Sequence, residues 1–289
     1  MKPAPFEYHA PRRVDEALAL LTRYGGDAKA LAGGQSLVPL LNFRVSRPAA
    51  LVDLNALPDL TYIRREDGQL RVGAMTRQRT IEFSLVAREA LPMLVEATAL
   101  VGHLPIRSRG TFGGSLAHAD PSAEYPAVLT ALEGEVVARG PGGDRVIPAA
   151  QLFRSYLTTS LAADELLVEA RLPIPPPGSG FAFEEFSRRH GDFALVGIAA
   201  LLVVRDGRCA MARLAAAGAG PAPVRLREAE EILEQDGVSD RAIGAAAARA
   251  GELVTPDSDI HASASYRRQL TRVFTARALR RALGRAEPG

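Results

Sequence analysis

The chain has 289 residues, 47% hydrophobic and 24% charged, and its 35 basic and 33 acidic side chains leave a net charge of +2. That length allows two domains with a core each, and the well-mixed charge gives no reason to expect a nucleic-acid surface. Cys209 is the only cysteine, which excludes internal disulfides and any iron–sulfur cluster held by this chain alone.

From Val14 to Tyr24, apolar residues recur at helical spacing (Val14, Ala17, Leu18, Leu21) and stop at Gly25-Gly26, which predicts an amphipathic helix. A short apolar stretch, Ala28 to Ala32, runs into the pair Gly33-Gly34. Ser36 then stands where a helix N-cap belongs, and Pro39 falls in the first turn. Strands are expected at Ala50 to Leu54, Leu60 to Ile63 and Leu70 to Ala74, with Asp67-Gly68 as a hairpin turn between the last two. Leu91 to Val101 reads as a helix and precedes a second pair, Gly113-Gly114. Strand patterns follow at Ala131 to Ala138, Arg145 to Ile147 and Glu165 to Leu172. Pro173-Ile174-Pro175-Pro176-Pro177-Gly178-Ser179-Gly180 is the one credible linker, dividing the chain into residues 1–174 and 180–286. Beyond it, Phe193 to Val204 and Cys209 to Ala217 form a hairpin across Asp206-Gly207. Helices are expected at Val224 to Gln235, Ser239 to Leu253 and Ser265 to Leu283. The fold class is therefore α+β, with a small antiparallel sheet and helices in the C-terminal part. The arginine-rich stretch from Arg267 to Arg285 reads as a solvated helix face, with an acidic partner as the alternative. The N-terminus has no signal-peptide core and no window is apolar enough to span a membrane, so the expected location is the cytoplasm.

The two glycine pairs carry the chemistry. Each is followed by a serine and an apolar run: Ala32-Gly33-Gly34-Gln35-Ser36-Leu37 and Thr111-Phe112-Gly113-Gly114-Ser115-Leu116. Without Cβ atoms in the way, backbone N–H groups of such a loop can converge on an anion, and two loops fit two linked phosphates, hence a dinucleotide. Other readings fail on spacing. Counted from Gly33, Gln35 and Val38 occupy the second and third small positions of a Rossmann fingerprint, although Asp53 stands at about the right distance. Neither loop has the lysine of a P-loop. Gly113-Gly114-Ser115-Leu116-Ala117 lacks the closing glycine of a nucleophile elbow, despite His118 and Asp120 nearby. The five histidines show no ligand spacing, so no metal site is expected.

At these loops the sequence resembles the flavin-binding medium subunit of the molybdenum hydroxylases, the family of carbon monoxide dehydrogenase and bacterial xanthine dehydrogenase. Ala32 to Leu37 and Thr111 to Glu124 match its two signature loops. Leu70 to Thr76, Ile106 to Gly110 and Arg188 to Ala194 fit further family patterns, in order along the chain. The resemblance implies a two-lobed FAD domain of the vanillyl-alcohol-oxidase type, followed by the family's own C-terminal domain. FAD would lie between the lobes, its pyrophosphate against amides of Gly33, Gly34, Gln35 and Ser36 on one side and of Gly113, Gly114 and Ser115 on the other. Thr111 would add a hydroxyl. Glu124 corresponds to an acid that contacts the flavin nucleotide; Asp120 is either a second acid or a cap of the Pro121 turn. Leu167 corresponds to an apolar contact near the flavin, or is plain core. Relatives often carry a lysine where this chain has Glu184 and Glu185, which leaves Arg188 as the candidate to offset charge on the reduced flavin, unless it is a surface residue.

The resemblance also implies partners: a large subunit with the molybdenum cofactor and a small [2Fe–2S] subunit, assembled as a dimer of heterotrimers. The chain would then receive electrons from the small subunit and pass them to an external acceptor. A stand-alone FAD oxidase and a flavin-free scaffold are the alternatives.

Overall fold

In the computed structural model, which describes residues 1–286, strands β1 (Glu7–His9), β2 (Ala28–Leu31) and β3 (Ala50–Asp53) form a parallel sheet in the order β1-β3-β2. Parallel neighbours need crossovers. Helix α1 (Val14–Tyr24) and helix α2 (Leu37–Asn42) provide them. The face of α1 made by Val14, Ala17, Leu18 and Leu21 is buried in one cluster with Ala28, Ala50 and Val52 of the sheet.

The second lobe begins with β4 (Ile63–Glu66) and β5 (Gln69–Gly73), joined by Asp67 and Gly68 at φ +52° and +72°, as a type I′ hairpin requires. The strand expected at Leu60 to Ile63 thus starts only at Ile63. Pro58–Leu60 is a 3-10 turn, and Leu60 is buried in the first lobe's core. Six helices follow: α3 (Gln78–Phe83), α4 (Leu85–Ala90), α5 (Pro92–Leu100), α6 (Leu104–Arg109), α7 (Phe112–His118) and α8 (Glu124–Ala131). Strands β6 (Glu135–Gly140) and β7 (Gly143–Pro148) come next, then helix α9 (Ala149–Leu152), a small hairpin of β8 (Phe153–Ser155) and β9 (Thr158–Thr159), and β10 (Leu166–Pro173). The lobe's sheet is antiparallel in the order β4-β5-β10-β6-β7. The strand expected from Ala131 therefore begins at Glu135, because Ala131 still belongs to α8. Helix α8 is buried almost along its whole length, so its apolar residues show no 3.6 period and run on into the strand.

A β-bulge between Leu167 and Glu169 sets how β10 serves both cores. Leu166 and Val168 face the first lobe, whereas Leu167, Ala170 and Leu172 face the helices of the second.

The C-terminal part is a second antiparallel sheet, β11 (Gly180–Phe186), β12 (Val196–Arg205), β13 (Arg208–Ala217) and β14 (Val224–Arg225), in that order. Helices α10 (Arg227–Asp236), α11 (Asp240–Leu253) and α12 (Ala264–Leu283) cover one face. The helix expected from Val224 starts at Arg227, since Val224 and Arg225 pair with Ala216 and Ala215. β12 is buried on both sides: Ile198, Ala200 and Leu202 meet the helices, while Ala199 and Leu201 join the core of the second lobe. Such a strand reads as an unbroken apolar run, as it does here. Cys209 on β13 lies in this core, and burial pushes its thiol up to about 11. Two sets of ion pairs tie the C-terminal part to the second lobe. Glu96 of α5 meets Arg281 at 3.1 Å and Arg285 at 2.7 Å, and Glu133 meets Arg225 at 3.2 Å and Arg227 at 2.8 Å. Among the described residues no helix is long and apolar enough to cross a membrane.

Candidate functional site

The two glycine loops, far apart in the chain, come together. A Cβ at Gly33 would collide with the Arg109 carbonyl oxygen and lie 2.7 Å from the Gly110 Cα, while one at Gly114 would lie 3.4 Å from the Cβ of Ala32. Close backbone contact of this kind is what absent side chains permit.

The first loop presents a face of donors. Four of its carbonyls are used: Ala32 O accepts from Asn55 Nδ2 at 3.0 Å, Gly33 O from Gln35 Nε2 at 3.1 Å, Gly34 O from Val38 N at 3.0 Å and Ser36 O from Leu40 N at 3.2 Å. Its amides are not. Gly33, Gly34, Gln35 and Ser36 donate to no protein acceptor among the described residues. Gly34 sits at φ +73°, a left-handed conformation suited to glycine, which helps turn successive N–H groups to one side. Beside these amides lies a cleft of about 400 Å³ lined by Leu31 to Gln35, Val38, Pro39, Asp53, Asn55 and Arg109.

The second loop is built differently. It forms the start of α7, with Thr111 as N-cap, and all its early amides are committed. Phe112 N donates to Thr76 O, Gly113 N to Ala74 O at 2.9 Å, Gly114 N to Thr111 Oγ1 at 3.1 Å and Ser115 N to Thr111 O at 3.2 Å. The expectation that the amides of Gly113, Gly114 and Ser115 stand open to an anion is thus corrected: the loop folds as a helical turn on the end of β5, and the Ala74 carbonyl and the Thr111 cap take the donors. Thr111 Oγ1 accepts one bond and keeps its hydroxyl proton free to donate, and Ser115 remains half-buried. Ser36, by contrast, occupies the N-cap of α2 without a side-chain cap bond.

Four polar residues, three of which sequence reasoning passed over, lock the loops in register. Arg77 donates to Arg109 O and Asn55 Oδ1, and Asn55 in turn bonds Asp53 and the first loop. Tyr8 of β1 donates its hydroxyl to Asp53. Burial pushes the Asp53 carboxyl up, but the Tyr8 and Asn55 donors and the field of Arg77 outweigh it and hold the group below the usual carboxylate range. Arg77 is lowered, first by burial and then by the nearby charge of Arg109. Asp53 was visible in the sequence as an acid about twenty residues past Gly33. Tyr8, Asn55 and Arg77 carried no motif, and Arg109 stood only within the family pattern of Ile106 to Gly110.

The remaining candidates lie outside the lining of this cleft. Asp120 Oδ1 accepts from Ser122 N at 2.9 Å, which caps the Pro121 turn. Glu124 opens α8, is 7% exposed, and its pKa is raised to about 8 by burial, with the negative charge of Glu185 adding to it. Glu185 is itself pushed up by burial to about 7, and its buried Oε2 has no hydrogen-bond partner among the described residues. Leu167 is 6% exposed in the core of the second lobe. Arg188 is exposed, and its Nη1 lies 3.0 Å from His261 Nδ1.

Comparison with known proteins gives the chain its relatives. Residues 4–175 match the family model described as the FAD binding domain in molybdopterin dehydrogenase, and residues 181–282 match the CO dehydrogenase flavoprotein C-terminal domain. The chain is 47% identical to the 6-hydroxypseudooxynicotine dehydrogenase complex subunit alpha of Paenarthrobacter nicotinovorans, covering 100% of this chain and 98% of that one. It is 40% identical to the caffeine dehydrogenase subunit beta of Pseudomonas sp. strain CBB1, over 99% and 97% of the two chains. In structure it superposes on a chain of carbon monoxide dehydrogenase from Hydrogenophaga pseudoflava with a TM-score of 0.97 at 37% identity, over 99% of this chain and 100% of the other.

Proposed function

The chain belongs to the FAD-binding subunit family of the molybdenum hydroxylases, and from that premise we propose how its own residues hold the flavin and what the subunit does. It is an oxidoreductase subunit whose cofactor is FAD. The division at residues 174 and 180 separates an FAD-binding domain from a C-terminal domain. The observation that carries the site is the run of uncommitted amides on the first loop, set over a cleft and pinned against the second loop. Its residues fit the group. Open amides of Gly33, Gly34, Gln35 and Ser36 suit a diphosphate, with Ala32 and Leu37 shaping the loop's ends. Thr111 adds a hydroxyl donor, and Ser115 a second. Gly113 and Gly114 serve by keeping the backbone of α7 close, not by donating. Glu124, neutral below about pH 8, can both donate to and accept from hydroxyls of the nucleotide. Leu167, Asp120 and Arg188 stand further back in this reading, as core, turn cap and surface residue.

Bound FAD supplies the redox chemistry, taking electrons singly and releasing them singly or in pairs. The chain positions it and excludes water, with no nucleophile or general base of its own. Its place is in a complex with a molybdenum-cofactor large subunit and a [2Fe–2S] small subunit, in the cytoplasm, as a dimer of heterotrimers. There it receives electrons from the small subunit and passes them to an external acceptor. Cys209, buried and alone, cannot hold a cluster, which agrees with that division of labour. The test is reconstitution. The purified chain should take up FAD and turn yellow, oxidise no small molecule by itself, and be reduced only when the small subunit is added with its clusters already reduced. Substrate turnover by the isolated flavinylated chain would establish the oxidase reading instead.

A further inference from the structure

We propose that Arg109 is the counter-charge for the diphosphate bridge of the dinucleotide, an assignment that rests on the flavin reading above. Arg109 is the arginine of the cleft lining, and Arg77, which bonds its backbone, and Arg107 on the same helix are already engaged. Arg107 is 9% exposed and gives its Nε to Glu82 at 3.0 Å and its Nη1 to the carbonyls of Val101 and Gly102 at 3.0 and 3.2 Å. Arg77 spends its guanidinium on Arg109 O and Asn55 Oδ1. Arg109 lines the cleft with an exposed side chain that has no carboxylate or hydrogen-bond partner among the described residues.

Its backbone, however, is held. The Arg109 carbonyl accepts from Arg77 and packs under Gly33, so the base of the side chain is fixed beside the open amides while its tip can reach across them. The one acid in the lining, Asp53, is occupied by Tyr8 and Asn55 and does not offset Arg109. The cleft is therefore left with an unbalanced positive charge facing uncommitted N–H groups. A guanidinium there engages phosphate oxygens through a planar fork, and an anion near Arg77 and Arg109 would relieve the repulsion between the two cations.

The experiment titrates the full apo-chain with FAD and, separately, with riboflavin, following flavin fluorescence at low and high salt. R109Q should raise the Kd for FAD about tenfold at low salt, the scale of one charge-assisted hydrogen bond, with the difference shrinking as salt screens the contact. R109K should recover much of the loss, and riboflavin, which has no phosphate, should bind all three proteins alike. The assignment is overturned if R109Q binds FAD within about twofold of wild type with the same salt dependence. It is overturned equally if R109Q weakens riboflavin and FAD together, since that is the mark of a structural role. Absence of FAD binding by the wild-type chain is a different result, and it refutes the flavin reading itself.

Discussion

The two glycine loops look alike in sequence and are opposites in structure. The first keeps most of its carbonyls satisfied and its amides open, whereas the second spends its amides on Thr76, Ala74 and Thr111 and becomes the first turn of a helix. A Gly-Gly pair followed by serine thus specifies close approach of backbone, and the environment decides what approaches. At Gly113 the neighbour is Ala74 of the chain itself, 2.5 Å from where a Cβ would stand. At Gly33 it is the Arg109 carbonyl of the adjoining segment, and only the amide side of the first loop is left open for a ligand.

The sharpest break of this comparison is a valine at Gly33 against a valine at Gly113. At the first loop, a Cβ would meet the Arg109 carbonyl and push the loop off the cleft, so flavin retention, read as FAD per polypeptide after gel filtration, should be lost along with some stability. At the second, overpacking against Ala74 should cost about 1–3 kcal/mol of stability, read as a lower Tm. Equal flavin loss with unchanged Tm in both variants would erase the distinction. A smaller effect separates the two cap positions. Thr111→Val removes the acceptor for Gly114 N–H and should cost about 1 kcal/mol in denaturant unfolding, whereas Ser36→Ala, where no cap bond exists, should stay within about 0.5 kcal/mol.

The smallest effect is in pH dependence, where the acids behind the two loops take opposite signs. Glu124 has a raised pKa, so its stability is complete below its ordinary value of 4.5 and is lost as pH rises toward about 8. Asp53 is lowered, so its contribution is present above its ordinary value of 3.8 and fades as pH falls through the folded value. Glu124→Gln should therefore flatten the decline of Tm between about pH 5 and 8, while Asp53→Asn should leave that decline in place and reduce the acid sensitivity below it.

Much of the fold was legible because its signals are local. Helices α1, α11 and α12 announce themselves by period or by a capping serine, and both Asp-Gly turns sit where hairpins need positive φ. The misses share a cause in tertiary packing. Helix α8, with Val128, Leu129 and Tyr125 all buried, has no polar face to set a period. Strand β11, hidden beside the proline-rich stretch, is recognisable only through its pairing with β12. The two glycine loops were visible from their residue pattern alone. The Tyr8–Asp53–Asn55–Arg77 chain that registers them joins residues from β1, from the end of β3 and from the start of α3, and no spacing rule connects those.

The buried state of Cys209 has a practical consequence. A thiol 5% exposed and pushed up to about 11 is almost wholly protonated near neutrality, so peroxide and alkylating reagents find no thiolate to attack. The C-terminal sheet therefore carries its own built-in alarm: a maleimide label at this position marks a molecule whose strands have come apart, and the rate of labelling times that opening without any engineered probe.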